Sequence, residues 1–121
     1  MEYVDLYFNM RNPVDLSEAA SIVYDVLNIS SFEERDSSNY VDDRYYAAEK
    51  DGVRYEIAYC DDDESNRFRF WMSLEKNGNH SSDLNLELMV RELVKSKFFP
   101  LDISAAQVLN LGKAEMQIID I

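Results

Sequence analysis

Asp51-Gly52 stands between two runs of β-forming residues, Arg44 to Lys50 and Val53 to Cys60. A two-residue link of this kind closes a tight antiparallel hairpin, because both residues tolerate the positive φ that its turn requires. The register follows directly. Lys50 lies opposite Val53, Glu49 opposite Arg54, Ala48 opposite Tyr55 and Tyr46 opposite Ile57. Glu49 and Arg54 then oppose each other with unlike charges, which favours this register over its neighbours. One face gathers Tyr46, Ala48, Val53, Tyr55, Ile57 and Tyr59 for a core, and the other presents Tyr45, Ala47, Ala58 and Cys60. A chain of 121 residues around such a hairpin reads as one domain, residues 1–121.

The remaining elements follow from periodicity. Val4, Leu6 and Phe8 alternate on one face of an opening strand that Asn12-Pro13 ends. Asp15 is a helix N-cap with Glu18 three residues on, and Leu16, Ala19, Ala20, Val23 and Leu27 predict an amphipathic helix over 16–28. Residues 30–43 read as a loop that holds a short strand near Phe32. Arg67 to Leu74 alternates again, with Phe68, Phe70, Met72 and Leu74 inward and Arg67, Arg69, Trp71 and Ser73 outward. This third strand completes an antiparallel meander. Leu86, Met89, Val90, Leu93 and Val94 predict a helix over 84–98, which Pro100 stops. Ser104 with Gln107 has the form of a capping box and predicts a further helix that ends at Gly112. Met116, Ile118 and Ile119 predict a last strand within 114–121. The expected order is β-α-β-β-β-α-α-β: an α+β domain, its mostly antiparallel sheet covered by helices on one face.

Charge narrows the function. Twelve lysines and arginines face 24 aspartates and glutamates, a net of −12. Such a chain repels phosphate backbones, which argues against nucleic-acid binding. No apolar run approaches the roughly 20 residues that span a bilayer, and MEYVDLYF has no signal-peptide pattern. With one cysteine there is no intramolecular disulfide framework, which fits a cytoplasmic location. Residues 33–64 alone hold twelve acids and four bases. The hairpin register sets Arg44 opposite Tyr59, so the loops before and after the hairpin meet at one end of the sheet. That end is expected to gather Glu33, Glu34, Asp36, Asp42 and Asp43 with Asp61, Asp62, Asp63 and Glu64, against Arg35, Arg44 and Arg67. Such clustering is self-repulsive in the free protein, and a cationic partner relieves it. Tyr45 and Trp71, aimed at the outer face, suit the centre of an interface if no helix covers them, and second-layer core if one does.

Catalytic patterns are missing. The acidic run Asp61 to Asn66 opens like a calcium loop but has Asn66 and Met72 where the EF-hand needs Gly and Glu. His80 is the only histidine, so neither a histidine-based zinc site nor a Ser-His-Asp triad can be assembled. Cys60 has no histidine near it in sequence and reads as an inert thiol. There is no glycine-rich phosphate loop. The expectation is a protein that is not an enzyme and takes no cofactor and no metal.

In size, acidity and layout, with the acidic segments Glu33-Glu34-Arg35-Asp36, Asp42-Asp43 and Asp61-Asp62-Asp63-Glu64 on a hairpin scaffold, the chain resembles the small bacterial immunity proteins of contact-dependent growth inhibition and related toxin systems. The resemblance implies a cytoplasmic antitoxin in a tight one-to-one complex with a cognate toxin domain made by the same cell, and the convergent carboxylates point to a basic toxin, a nuclease, whose positive cleft they cover. A small acidic secretion chaperone is the first alternative, although such chaperones generally open with a helix. A phage-type nucleic-acid mimic is the second, and its acids should spread along one long face.

Overall fold

The computed structural model describes residues 2–60, 68–76, 85–111 and 113–121. Among them the chain forms a seven-stranded, wholly antiparallel sheet with two α-helices on one face. The strands are β1 (Tyr3–Asn9), β2 (Glu33–Asp36), β3 (Arg44–Lys50), β4 (Val53–Tyr59), β5 (Phe70–Lys76), β6 (Ser104–Leu109) and β7 (Gln117–Asp120). Their spatial order is β2-β3-β4-β5-β1-β6-β7. This is the α+β architecture expected, with the helices on a single side.

The hairpin forms as its turn chemistry dictates. Asp51 and Gly52 have φ of 53° and 80°, and Tyr46, Ala48, Glu49 and Lys50 lie opposite Ile57, Tyr55, Arg54 and Val53. Strand β5 then pairs with β4, Tyr55 opposite Leu74 and Ala58 opposite Trp71. Helix α1 (Leu16–Val26) starts where Asp15 Oδ1 accepts the Glu18 N–H at 2.9 Å. It buries Leu16, Ala19, Ala20, Val23 and Tyr24 on the sheet. The Tyr24 hydroxyl donates to the Tyr46 carbonyl at 2.7 Å, so the buried phenol keeps a partner. Helix α2 (Leu86–Leu93) widens into a π-helical turn, Val94–Phe98, and a 3-10 turn, Phe99–Leu101. Its expected stripe is the buried one: Leu86, Val90, Leu93 and Val94 pack with Phe8 and Phe98 in the main core, and Met89 packs against it.

Three expectations are corrected. Ser104–Leu109 is not a helix but strand β6, inserted between β1 and β7. Ala105, Ala106, Gln107 and Val108 are all buried there, and a short buried apolar run has no periodicity that separates helix from strand. The edge left open by β1 decides the matter, because pairing satisfies its backbone groups. Second, the short strand expected near Phe32, which the expected element order leaves out, spans Glu33–Asp36 as a charged edge strand paired to β3. Third, Phe68 does not join the main core. The chain bends at Arg69, so Phe68 packs beside Tyr7, Ala106 and Val108 on the opposite face, and the Arg69 guanidinium lies 5.4 Å from the Tyr59 ring centre. No helix is long and apolar enough to cross a membrane among the described residues.

Candidate functional site

Alternation along the strands leaves the helix-free face with its own composition. Arg35, Tyr45, Ala58, Trp71, Tyr7, Ala106 and Asp120 form one cross-strand row from β2 to β7. Tyr45 reaches Ala58 by one-residue continuation of the β3–β4 register. Beside this row run Glu33, Ala47, Glu56, Ser73, Asp5, Val108 and Ile118. Two sides of the row differ. Toward β6 and β7, Tyr7, Phe68, Ala106 and Val108 make a small second core with Cys60, Trp71, Met116 and Ile118 against it. Toward β2, the surface is aromatic and charged.

Tyr45 and Trp71 are half-buried, and no helix among the described residues covers them. Tyr40 does so in part. Its ring lies 4.6 Å from Tyr45 and 5.7 Å from Trp71, centre to centre, and the small Ala58 of the intervening strand leaves room for it. The segment before β3 is stitched to hold that ring. Ser37 N–H donates to the Asp43 carbonyl and Asp43 N–H to the Tyr40 carbonyl, while Asp42 takes a left-handed φ of 64° that aspartate tolerates. Burial first, then the charges of Glu56 and Tyr45, push the Tyr40 phenol up to about 12, with Arg54 opposing. Arg54 and Glu56 form an ion pair at 3.4 Å on the same face. A hollow of about 210 Å³ lies next to Ala47 between Glu33, Arg35 and Arg54.

One carboxylate on this face is buried. Asp5 is 6% exposed, and its Oδ1 accepts from the Trp71 indole Nε1 at 3.1 Å. Burial pushes its carboxyl pKa up, and the indole bond pulls against that shift.

The expected acidic end is only partly assembled. Strand β2 sends Glu33 and Glu34 to opposite faces. Glu33 pairs with Arg35 at 2.9 Å on the helix-free face. Glu34 pairs with Arg44 at 3.4 Å and accepts the Tyr46 hydroxyl at 2.8 Å on the other. Arg44 also pairs with Asp42 at 2.9 Å. Asp36 and Asp43 are exposed and enter no ion pair among the described residues. Asp61, Asp62, Asp63 and Glu64 lie outside the described residues, as do Arg67 and His80. Among the described residues no three histidine, cysteine, aspartate or glutamate side chains converge as metal ligands.

Tyr40, Asp5 and Glu56 escaped the sequence reading. Glu56 was accessible from the hairpin register, since it shares the face of Ala58. Tyr40 sat in a segment without periodicity, and Asp5 meets Trp71 only through the β1–β5 pairing, which no local signal encodes. No protein-family model matches this chain, and neither a curated protein nor a solved structure matches it.

Proposed function

We propose that this protein is an immunity protein or antitoxin that binds a cognate basic toxin, a nuclease, and covers its positively charged active-site cleft. One observation carries this reading. The helix-free face sets a partly exposed aromatic cluster, Tyr40, Tyr45 and Trp71, among the carboxylates of Glu33, Glu56 and Asp5. Aromatic anchors inside a charged border are the residue types that dominate binding energy at protein interfaces. An acidic border steers a basic partner into place and speeds association. Such a protein acts in the cytoplasm, where the toxin of the same cell would otherwise reach nucleic acid. It forms a one-to-one complex, has no catalytic role and requires no cofactor.

The test is capture of the product of the immediately upstream gene. The protein should bind it at nanomolar strength and protect cells that express its toxic C-terminal domain. Absence of binding and protection would sink the proposal.

The chaperone reading is favoured by a different observation: Leu88 and Phe99 are exposed, at 59% and 78%, beside α2. A sedimentation mass near twice 14.1 kDa, lowered by Leu88→Glu, would move the function there.

A further inference from the structure

The sheet ends in two unlike edges. At one, every residue of β2 is charged and exposed: Glu33, Glu34, Arg35 and Asp36. At the other, β7 reads Gln117-Ile118-Ile119-Asp120, and no described strand lies beyond it. An open sheet edge is a template for a further strand, and charge is a common way to blunt it. Strand β2 has that protection and β7 has little of it.

The register fixes what β7 offers. Ile121 N–H donates to the Ala105 carbonyl at 3.4 Å, so these two are a hydrogen-bonded pair and, by alternation, so are Ile119 and Gln107. The backbone N–H and C=O of Ile118 then point away from β6, toward the open side. The Ile118 side chain packs on the second core of the helix-free face. Ile119 and Ile121 lie on the helix face, in the rows of Leu6 and Phe8, and each is 46% exposed. A hollow of about 360 Å³ opens at the strand ends there, with Val94, Phe99, Ile103, Ala105 and Ile121 as its helix-face lining. Phe99 and Leu101, in the 3-10 turn after α2, are exposed.

We propose that a second copy of this chain pairs with β7, antiparallel and about a two-fold axis, so that two seven-stranded sheets join into one. Three observations select a second copy. The first is side-chain chemistry. A two-fold axis normal to the sheet sets one residue directly opposite its own copy. In β7 that residue is Ile118 or Ile119, and Asp120 then falls opposite uncharged Met116 or Ile118. In β2 it would be a charged residue facing itself, which is repulsive. The second is position. Six strand spacings of about 4.8 Å separate β7 from β2, roughly 29 Å, several times the Debye length of about 8 Å. The acidic edges of both copies therefore stay outermost, and a net charge of −12 per chain does not prevent pairing. The third is area. Phe99, Leu101, Ile119 and Ile121 hold roughly 400 Å² of exposed surface, about half of the roughly 800 Å² per partner in a standard interface, and pairing along β7 adds to it. The aromatic and acidic surface toward β2 remains free in each copy, so a dimer still takes one toxin per chain.

Sedimentation equilibrium of the whole protein over a concentration series tests this. The mean mass should climb toward twice 14.1 kDa. Ile119→Lys sets like charges together and should raise the dimer dissociation constant at least about tenfold, since a two-fold interface carries the change twice. Ile118→Pro removes the outward N–H, which an edge strand tolerates, and should weaken the dimer as much while circular dichroism stays that of the parent. Leu88→Glu on α2 and Asp36→Lys on β2 should leave the mass unchanged. A mass of 14.1 kDa at every concentration, or a dimer indifferent to both β7 variants, would overturn the proposal. So would a dimer that Leu88→Glu dissolves, which belongs to the chaperone reading. If Ile118→Pro unfolds, Ile119→Lys decides alone, because its side chain is already exposed.

Discussion

The Trp71 indole donates to Asp5 across the β5–β1 pair at 3.1 Å, joining the sole tryptophan to a carboxylate that is almost wholly buried. Helix α1 and helix α2 lie on the other side of the sheet. The pair therefore belongs to the face on which Tyr40 packs against Trp71 and Phe68, Met116 and Ile118 join the second core.

That placement predicts that Asp5→Asn stabilises the free protein. Burial raises the carboxyl pKa above 3.8, so the folded state holds this proton more tightly than the unfolded chain. Stability from this group is then present below pH 3.8 and is lost as pH rises through the higher native value. Glu75 on β5, Arg54 and Glu56 on β4, and Tyr3 and Tyr7 on β1 share its face; Arg54, the cation among them, pairs with Glu56 at 3.4 Å and forms no ion pair with Asp5. Urea unfolding should show a gain of about 1 kcal/mol for the variant at pH 7 that shrinks toward pH 4. A loss at pH 7 would contradict the account.

Trp71→Phe removes the indole donor and leaves the carboxylate buried without it. A destabilisation of about 2–3 kcal/mol is expected at pH 7, from the lost bond and the smaller ring together. Much of it should be recovered when Asp5→Asn is added. A double-mutant cycle on equilibrium unfolding measures that coupling, and strictly additive effects would show that the two residues act independently.

Alkaline titration reads the tyrosines. Tyr40 and Tyr55 are pushed up to about 12, in both cases chiefly by burial, so their phenols should ionise well after free tyrosine. Their raised values mean that the folded state keeps protons the unfolded chain gives up near pH 10. Stability falls as pH rises between about 10 and 12. Absorbance at the phenolate band should show a late component, and Tyr40→Phe should remove part of it.

Asp36 and Asp43 are the described acids of the β3 end that enter no ion pair, whereas Glu33, Glu34 and Asp42 share Arg35 and Arg44. Reversal of both to lysine should slow association with the upstream gene product by about tenfold at low salt, with little change in dissociation. Stopped-flow measurements over a salt series provide the check, since the difference should fade as ionic strength rises. Salt-independent rates would remove this end from the encounter surface.

The local chemistry of the chain determined much of the fold. Asp51-Gly52 set the hairpin and its register, Asp15 set the start of α1, and period-two alternation aimed Tyr45 and Trp71 away from the main core. These outcomes depend on residues a few positions apart, whose steric and hydrogen-bonding preferences act before any tertiary contact forms. The tertiary structure decided the rest. Ser104–Leu109 became a strand because β1 had an open edge, although its Ser104 and Gln107 suit a helix start. Pairing of Glu33–Asp36 with β3 split two neighbouring glutamates between faces and gave each an arginine. The meeting of Asp5 with Trp71, 66 residues apart, came only from strand order. Local preference amounts to about a kcal/mol per residue, whereas satisfying an open sheet edge and burying its side chains involves several such contributions at once.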